Sequence, residues 1–148
     1  MFLLLLLLLT SLVDANDFKF CSANLLGLNT ITLNPHEPIQ NKDLHIILNG
    51  NSTVSVSGGR VDVVVRVHGF IFSEFTLDLC SNIKCPVVKN QVYNYDIVYK
   101  VPESRISVSA VIDVSIYDNT NLKLTCIEIP VTLQEISSLY KFFYLFIF

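Results

Sequence analysis

The residue types that most often carry out chemistry are few in this chain, and they are widely separated. Its three histidines, His36, His45 and His68, fall in a loop, on a strand and at a turn. Asp113 and Asp118 are of the type used in general acid–base catalysis, but solvated charges at a strand end are a simpler interpretation. The sequence contains no G-x-S-x-G elbow, no H-E-x-x-H pair and no glycine-rich phosphate loop. We therefore predict that the protein is not an enzyme and that it holds no metal and no cofactor.

The N-terminus has the features of a secretory signal. Residues 3–9 are an unbroken leucine run, too short to span a bilayer. Val13-Asp14-Ala15 then places small residues at the spacing of a cleavage site. We predict that residues 1–15 are a signal peptide and that the mature protein is secreted or resides in the endosomal or lysosomal lumen.

The four cysteines, Cys21, Cys80, Cys85 and Cys126, are the strongest chemical feature. An even number of cysteines in an exported chain predicts two disulfides, and four cysteines allow three pairings. Cys80 and Cys85 are close enough to close a short loop, and the other two would then tie the start of the domain to its end. A zinc site is less favoured, because the close pair has C-x4-C spacing and the histidines are scattered.

Apolar residues alternate with period two along most of the chain, which predicts strands rather than helices. Val61, Val63, Val65 and Val67 form one such run, and every even position from 106 to 116 is apolar. About seven strands separated by Gly, Asn and Pro turns predict an all-β antiparallel sandwich. The final strand changes phase near Cys126, which predicts a β-bulge or a twist near Cys126 or Ile127.

The bulk properties are typical of one globular domain. The chain has 148 residues, of which 51% are hydrophobic. A net charge of −3 without a basic stripe argues against a nucleic-acid partner. Asn51-Ser52-Thr53 is a glycosylation sequon, so Asn51 is a candidate glycan site. Residues 134–148 form an apolar tail of unknown role, whose last nine residues are too few to span a bilayer.

Four segments together resemble the ML lipid-recognition family. Phe18-Lys19-Phe20-Cys21 is similar to its first cysteine segment, and Asn34-Pro35-His36-Glu37-Pro38 to its proline-rich loop. Asp78-Leu79-Cys80 followed by Cys85-Pro86 is similar to its central hairpin end. The closing strand of the family is matched by the residues from Leu124 to Val131. The family includes Niemann–Pick type C sterol carriers and phosphatidylglycerol/phosphatidylinositol transfer proteins.

The resemblance implies a two-sheet immunoglobulin-like sandwich over residues 16–133, with an apolar cavity between the sheets. It implies the pairings Cys21–Cys126 and Cys80–Cys85. It also implies a function, the transfer of phospholipid (phosphatidylglycerol or phosphatidylinositol) or sterol between membranes. Sterol carriers of the family commonly have a third, early disulfide that this chain cannot form, which favours the phospholipid branch. Two alternatives stay open: an immunoglobulin-like binding module with a filled core, and an accessory protein that presents lipid without transferring it.

Inward positions on the predicted strands are the candidates for the lipid cavity, although each of them can equally be ordinary core. They are Val63, Val65, Phe75, Tyr93, Tyr95, Ile97, Val108, Ile112, Ile129 and Val131. Three consecutive large apolar residues beside a turn, Phe70, Ile71 and Phe72, break the alternation and are candidates for a rim that dips into a bilayer. The alternative is an edge that a loop buries. We expect a monomer that contacts membranes transiently and takes phospholipid or sterol as its ligand.

Overall fold

The computed structural model describes residues 18–103 and 107–133. The predicted signal peptide at residues 1–15 and the apolar tail at residues 134–148 lie outside the described residues. Eight strands follow one another: β1 Lys19–Phe20, β2 Leu28–Asn34, β3 Asp43–Asn51, β4 Gly59–Val67, β5 Phe70–Asp78, β6 Val92–Lys100, β7 Val108–Asp118 and β8 Lys123–Leu133. A short 3-10 helix, Leu79–Ser81, follows β5 and is the single helical element in the described part of the chain.

The strands form two antiparallel sheets. The larger sheet has five strands in the order β1-β8-β7-β4-β5, and the smaller sheet has three in the order β2-β3-β6. This confirms the predicted all-β, two-sheet antiparallel sandwich. In the ranges that the structure covers, there is no helix of the length and apolar character needed to cross a membrane.

The hairpin of β4 and β5 shows how the sequence produces these strands. Val61, Val63 and Val65 are fully buried, because β-branched side chains at alternate positions pack well on one face of a pleated sheet. His68 and Gly69 connect the two strands with φ of 52° and 80°. Two consecutive positive φ angles define the tight hairpin turn whose twist matches that of the strands, so the predicted hairpin is confirmed.

The core is the layer between the two sheets. Leu44, Ile46 and Leu48 on β3 have no exposed surface and face the valines of β4 across that layer. The outer faces are polar and charged. On the larger sheet, for example, the Nε atom of Arg66 donates to the Asp113 carboxylate at 2.7 Å.

The irregularity predicted near Cys126 is present in β8, two residues before that cysteine. The pairing of β7 with β8 shifts at Leu124, opposite Ile116 and Tyr117, and not at Cys126 or Ile127. In the sequence, the apolar residues change from one parity to the other only after Cys126, later than the shift in strand pairing. The reason is that Thr125 and Cys126 are buried as well. Thr125 is covered by the segment before β2 and accepts a hydrogen bond from the Leu26 amide at 3.3 Å, while Cys126 is covered by its disulfide.

Both disulfides have the pairing that the resemblance implied. Cys21 joins Cys126 with a Cα–Cα distance of 5.0 Å, and Cys80 joins Cys85 at 5.5 Å. The long bridge fixes the start of the domain to β8, where the Cys21 amide also donates to the Cys126 carbonyl at 2.9 Å. The short bridge closes the loop that leaves the 3-10 helix.

We expect the two bridges to differ in their effect on stability. Replacing Cys21 and Cys126 by alanine should lower the free energy of unfolding by about 4–5 kcal/mol, against about 2 kcal/mol for Cys80 and Cys85, because a longer closed loop restricts the unfolded chain more. Denaturant unfolding of the two double variants measures this difference. Equal losses in the two variants would contradict it.

Candidate functional site

The ten predicted cavity residues all face the layer between the sheets. Seven of them are buried and three are partly buried against the same core. The buried ones are Val63, Val65, Tyr93, Tyr95, Ile97, Ile112 and Ile129, and the partly buried ones are Phe75, Val108 and Val131. The strand alternation therefore identified which side chains point inward on four strands of the larger sheet and on β6.

The inward residues of β3 and of the segments that close one end of the layer were not among the predicted cavity residues. Leu44, Ile46 and Leu48 are fully buried, and Leu26 and Leu79 are nearly so. The β3 residues show the same period-two alternation as the others and could have been found by it. Leu26 and Leu79 lie outside the regular strands, where no periodicity marks the inward side.

The space left between the sheets in this structure is small. An apolar void of about 10 Å³ lies toward the end of the sandwich that carries the Cys80–Cys85 loop. Among the predicted cavity residues, it is Tyr93 and Tyr95 that line it. Its other lining residues are Leu26, Leu48, Leu79, Ile83, Val87 and Ile116. The inward side chains otherwise pack against each other, so the sandwich is closed.

Three tyrosines of β6 bring hydroxyl groups into this apolar layer. The Tyr93 hydroxyl donates to the Leu26 carbonyl at 2.7 Å. The hydroxyls of Tyr95 and Tyr99 are buried and have no hydrogen-bond partner. Burial raises the pKa of all three phenols; that of Tyr95 reaches about 12, with a further contribution from the Asp78 carboxylate. Ser73 lies close enough to Tyr99 to lower its pKa slightly, but the two hydroxyls do not reach hydrogen-bonding geometry.

Along one edge, the two sheets are joined by hydrogen bonds of the segment Asn24–Gly27, which we call the tied edge. The Leu25 amide donates to the Leu124 carbonyl of the larger sheet at 2.8 Å. On the other side, the Gly27 carbonyl accepts from the Asn51 amide at 3.1 Å, and the Leu25 carbonyl accepts from the Thr53 amide at 3.1 Å. The segment therefore holds both sheets at once.

The opposite edge, where β5 lies beside β6, is held differently, and we call it the seam. Each of these strands is the last of its sheet, and among the described residues no backbone hydrogen bond joins them. The rings of Phe75 and Tyr99 stack across the seam with a centroid distance of 5.5 Å. The Asn82 side chain donates to the Asp96 carbonyl at 3.0 Å. The seam is thus closed mainly by apolar packing.

The three predicted rim residues form an exposed hairpin tip beside the seam. Phe70, Ile71 and Phe72 are 78%, 55% and 39% exposed. The pairing of β4 with β5 shifts between Val65 and Arg66, which leaves Phe72 without a partner and breaks the alternation. The hairpin tip therefore presents large apolar groups to water, in contrast to the alternative that a loop buries them.

A larger, open groove of about 830 Å³ lies on the outer face of the five-stranded sheet and around the loop after β2. Its lining includes the Arg66–Asp113 ion pair together with His36, Glu37 and Glu128. The groove also has apolar lining residues, among them Leu33, Ala110 and the predicted cavity residue Val131. Because it is open to solvent and its charged side chains are not shielded from water, it does not provide the dry environment that an apolar ligand requires. The layer between the sheets is the better candidate site.

The residues weighed for catalysis have structural roles. Asp113 pairs with Arg66, and the Asp118 carboxylate accepts hydrogen bonds from Thr120 and Leu122 in the β7–β8 turn. The Thr120 hydroxyl is the main cause of the lowered pKa of Asp118. The Nδ1 atom of His45 lies 3.0 Å from the Asp96 carboxylate on the outer face of the smaller sheet. In residues 18–103 and 107–133, no three His, Cys, Asp or Glu side chains are placed to hold a metal ion.

Curated relatives carry the names of phospholipid transfer proteins. A phosphatidylglycerol/phosphatidylinositol transfer protein of Aspergillus fumigatus is 26% identical over 125 residues, which cover 76% of this chain and 69% of that protein. A Dictyostelium discoideum protein, provisionally given the same name, is 25% identical over 133 residues, covering 82% of this chain and 86% of its own.

Solved structures share the fold. A Niemann–Pick type C2 protein from the Japanese carpenter ant superposes with a TM-score of 0.65 at 19% identity, covering 79% of this chain and 98% of that one. Chicken MD-1, crystallised with lipid IVa, gives a TM-score of 0.56 at 11% identity, covering 76% and 85% of the two chains. The model of the ML domain matches residues 15–133. The chain therefore belongs to the ML domain family.

Proposed function

We propose that this protein binds phospholipid between its two sheets and transfers it from one membrane to another. The observation that carries the proposal is the continuous apolar layer between two sheets that are hydrogen-bonded to each other at the tied edge but closed by side-chain packing at the seam. The names of the Aspergillus and Dictyostelium relatives support phosphatidylglycerol and phosphatidylinositol as the first lipids to test. Sterol is the second class of ligand.

The physical task of such a carrier is to keep acyl chains out of water. Each methylene exposed to water costs about 0.8 kcal/mol, so a soluble carrier must offer a dry, apolar slot. Binding sites for small molecules have volumes of about 300–1,000 Å³, whereas the void in this structure is about 10 Å³. Lipid binding therefore requires the sheets to part. The seam is where they part at least cost, because separating β5 from β6 breaks the Phe75–Tyr99 stack and the Asn82–Asp96 hydrogen bond but no hydrogen bond between the backbones of these two strands. Val56 and Val87 exchange two backbone hydrogen bonds of 2.8 Å between the chains that lead into β4 and β6, at the end that carries the Cys80–Cys85 loop.

The hairpin tip is the part of the surface that we assign to membrane contact. Phe70, Ile71 and Phe72 stand at one end of β5, next to the seam through which the lipid would pass. Insertion of these side chains into the interface of a bilayer would remove their exposed apolar surface from water. No covalent step is involved, so we propose a function without catalysis.

We further propose that the protein is a secreted or endosomal–lysosomal monomer with a glycan on Asn51. Asn51 is exposed at the last position of β3, where it pairs with Val92. The hairpin tip lies at the other end of the sandwich, near the loop after β2. A glycan on Asn51 would therefore leave the hairpin tip free to meet a membrane.

The second candidate function is a binding module with a filled core, and the small size of the void favours it. The two functions differ in whether lipid accompanies the protein. If the carrier function holds, organic extraction of the secreted protein should yield about one phospholipid per chain, and the protein should move fluorescent phosphatidylglycerol between vesicles without an energy source. A protein that yields no lipid and accelerates no transfer is a filled module.

Charge on the hairpin tip should impair membrane contact without affecting the core. We expect F70D to lower binding to vesicles at least tenfold and to slow transfer, because burial of one Phe side chain contributes about 1.5–3 kcal/mol. V92D is the matched control, since Val92 is 76% exposed but lies at the other end of the sandwich. Vesicle co-sedimentation and thermal melts compare the two variants. Equal binding of F70D and V92D would show that the hairpin tip is not the contact surface.

The sequon should carry a glycan when the protein passes through a eukaryotic secretory pathway. We expect an endoglycosidase to increase the electrophoretic mobility of the wild type and of N49Q but not of N51Q. Asn49 lies on the same strand and outside any sequon, which makes N49Q the control. An unchanged mobility of the wild type after digestion would exclude the glycan.

A further inference from the structure

Two buried hydroxyl groups have no hydrogen-bond partner, and both lie on the inward face of β6. Tyr95 is 1% exposed and Tyr99 is 5% exposed. Neither phenol oxygen has a partner within hydrogen-bonding geometry. Nearly all buried polar groups in proteins are hydrogen-bonded, because burying a hydroxyl without a partner costs free energy. These two hydroxyls therefore call for a functional explanation that a purely structural core does not provide.

Tyr93 shows that the strand itself does not prevent a tyrosine from finding a partner. It has the same orientation on the same strand, and its hydroxyl donates to the Leu26 carbonyl at 2.7 Å. That carbonyl belongs to the tied edge. Tyr99 instead stacks on Phe75 at the seam, and Tyr95 lines the apolar void. Tyr93 and Leu26 line the same void, so what distinguishes Tyr95 and Tyr99 from Tyr93 is that their hydroxyls have no partner within reach.

The chemistry of these groups restricts what can bind them. A phenol is neutral at physiological pH, and burial raises the pKa of both tyrosines further, so each can donate one hydrogen bond. Apart from Tyr93, whose hydroxyl is already bonded to the Leu26 carbonyl, the side chains that line the void around Tyr95 are apolar. The polar neighbour of Tyr99 is Ser73, which does not reach hydrogen-bonding geometry, so we look to the ligand for the acceptor. In a phospholipid, the charged phosphate is costly to bury, whereas the ester carbonyls are neutral acceptors attached directly to the acyl chains.

Building on the proposed function, we infer that Tyr95 and Tyr99 donate hydrogen bonds to the ester carbonyl oxygens of the bound lipid and thereby select ester-linked over ether-linked phospholipid. Both residues would act in specificity and not in membrane contact. Since they are four residues apart on one strand, a lipid can use either hydroxyl, and the double variant is decisive.

The experiment compares transfer of two phosphatidylglycerols that differ in one respect, ester or ether linkage of the same chains. A neutral hydrogen bond gained in an otherwise unpartnered site corresponds to a preference of about fivefold to tenfold. We expect the wild type to transfer the ester lipid faster by that factor and the Y95F/Y99F variant to transfer both lipids at the same rate. Y93F should keep the wild-type ratio, because its hydroxyl already has a partner.

Thermal melts separate a role in ligand selection from a role in stability. Y93F should melt at a lower temperature than the wild type, since it loses a satisfied hydrogen bond and leaves the Leu26 carbonyl buried. Y95F/Y99F should melt at the same or a higher temperature, since it loses two unpartnered hydroxyls. A lower melting temperature for the double variant would assign the hydroxyls to an internal structural bond and overturn the inference.

The remaining outcomes are also decisive. Equal transfer of the ester and ether lipids by the wild type, or an ester preference that persists in Y95F/Y99F, overturns this inference but leaves the proposed function intact. A third arm with a fluorescent sterol tests the other oxygen-bearing ligand: sterol transfer that is fast in the wild type and lost in Y95F/Y99F would assign the hydroxyls to the sterol oxygen. A wild type that transfers none of the three overturns the proposed function and the inference together.

Discussion

The segment from Leu25 to Gly27 hydrogen-bonds to both sheets, and the arrangement of the sandwich depends on it. Its Leu25 amide and carbonyl join β8 to the chain that follows β3. Gly27 has φ of +58°, and a Cβ atom there would lie 2.0 Å from the Asn51 carbonyl oxygen, so the close approach requires glycine. The Cys21–Cys126 disulfide holds the start of the same segment against β8. These interactions fix how the sheets face each other along one edge.

The asymmetry between the tied edge and the seam connects the fold to the proposed function. A sandwich joined by backbone hydrogen bonds at both edges would have to lose several of them to admit a ligand. Here, the inner layer can open at the seam by exchanging protein–protein apolar contacts for protein–lipid ones, a change that keeps apolar surface away from water. The Phe75–Tyr99 stack is the main contact that such opening would break. Backbone hydrogen bonds at one edge and side-chain packing at the other are what the proposed carrier function requires.

The two ends of the sandwich expose different kinds of side chain. One end carries the exposed Phe70, Ile71 and Phe72, and the other carries the sequon asparagine. Between them, the sheet faces bear exposed ion pairs such as Arg66–Asp113, which are of little consequence for stability. They keep the faces hydrated. Three consecutive large apolar side chains of the larger sheet are exposed together at the hairpin tip, while Phe20 on β1 is exposed separately.

The local pattern of the sequence was sufficient for much of the fold. Alternation along Val61–Val67 and along positions 106–116 identified strands and their inward faces, because side chains on a strand point to opposite sides in turn. The family resemblance supplied the disulfide pairing. The exact residue of the irregularity in β8 did not follow from the alternation, because burial of Thr125 depends on contact with Leu26, a residue 99 positions away in the chain.

The sequence by itself determined that this is an all-β, disulfide-bonded sandwich with ten correctly oriented inward residues, since each of these properties follows from local spacing or from family motifs. Only the tertiary structure decided which edge of the sandwich is tied and which is a seam, that the layer is closed around a void of about 10 Å³, and that Tyr93 is satisfied while Tyr95 and Tyr99 are not. All three tyrosines have the same alternation and the same residue type. What separates them is the presence or absence of a carbonyl within reach, which depends on how distant segments meet in space.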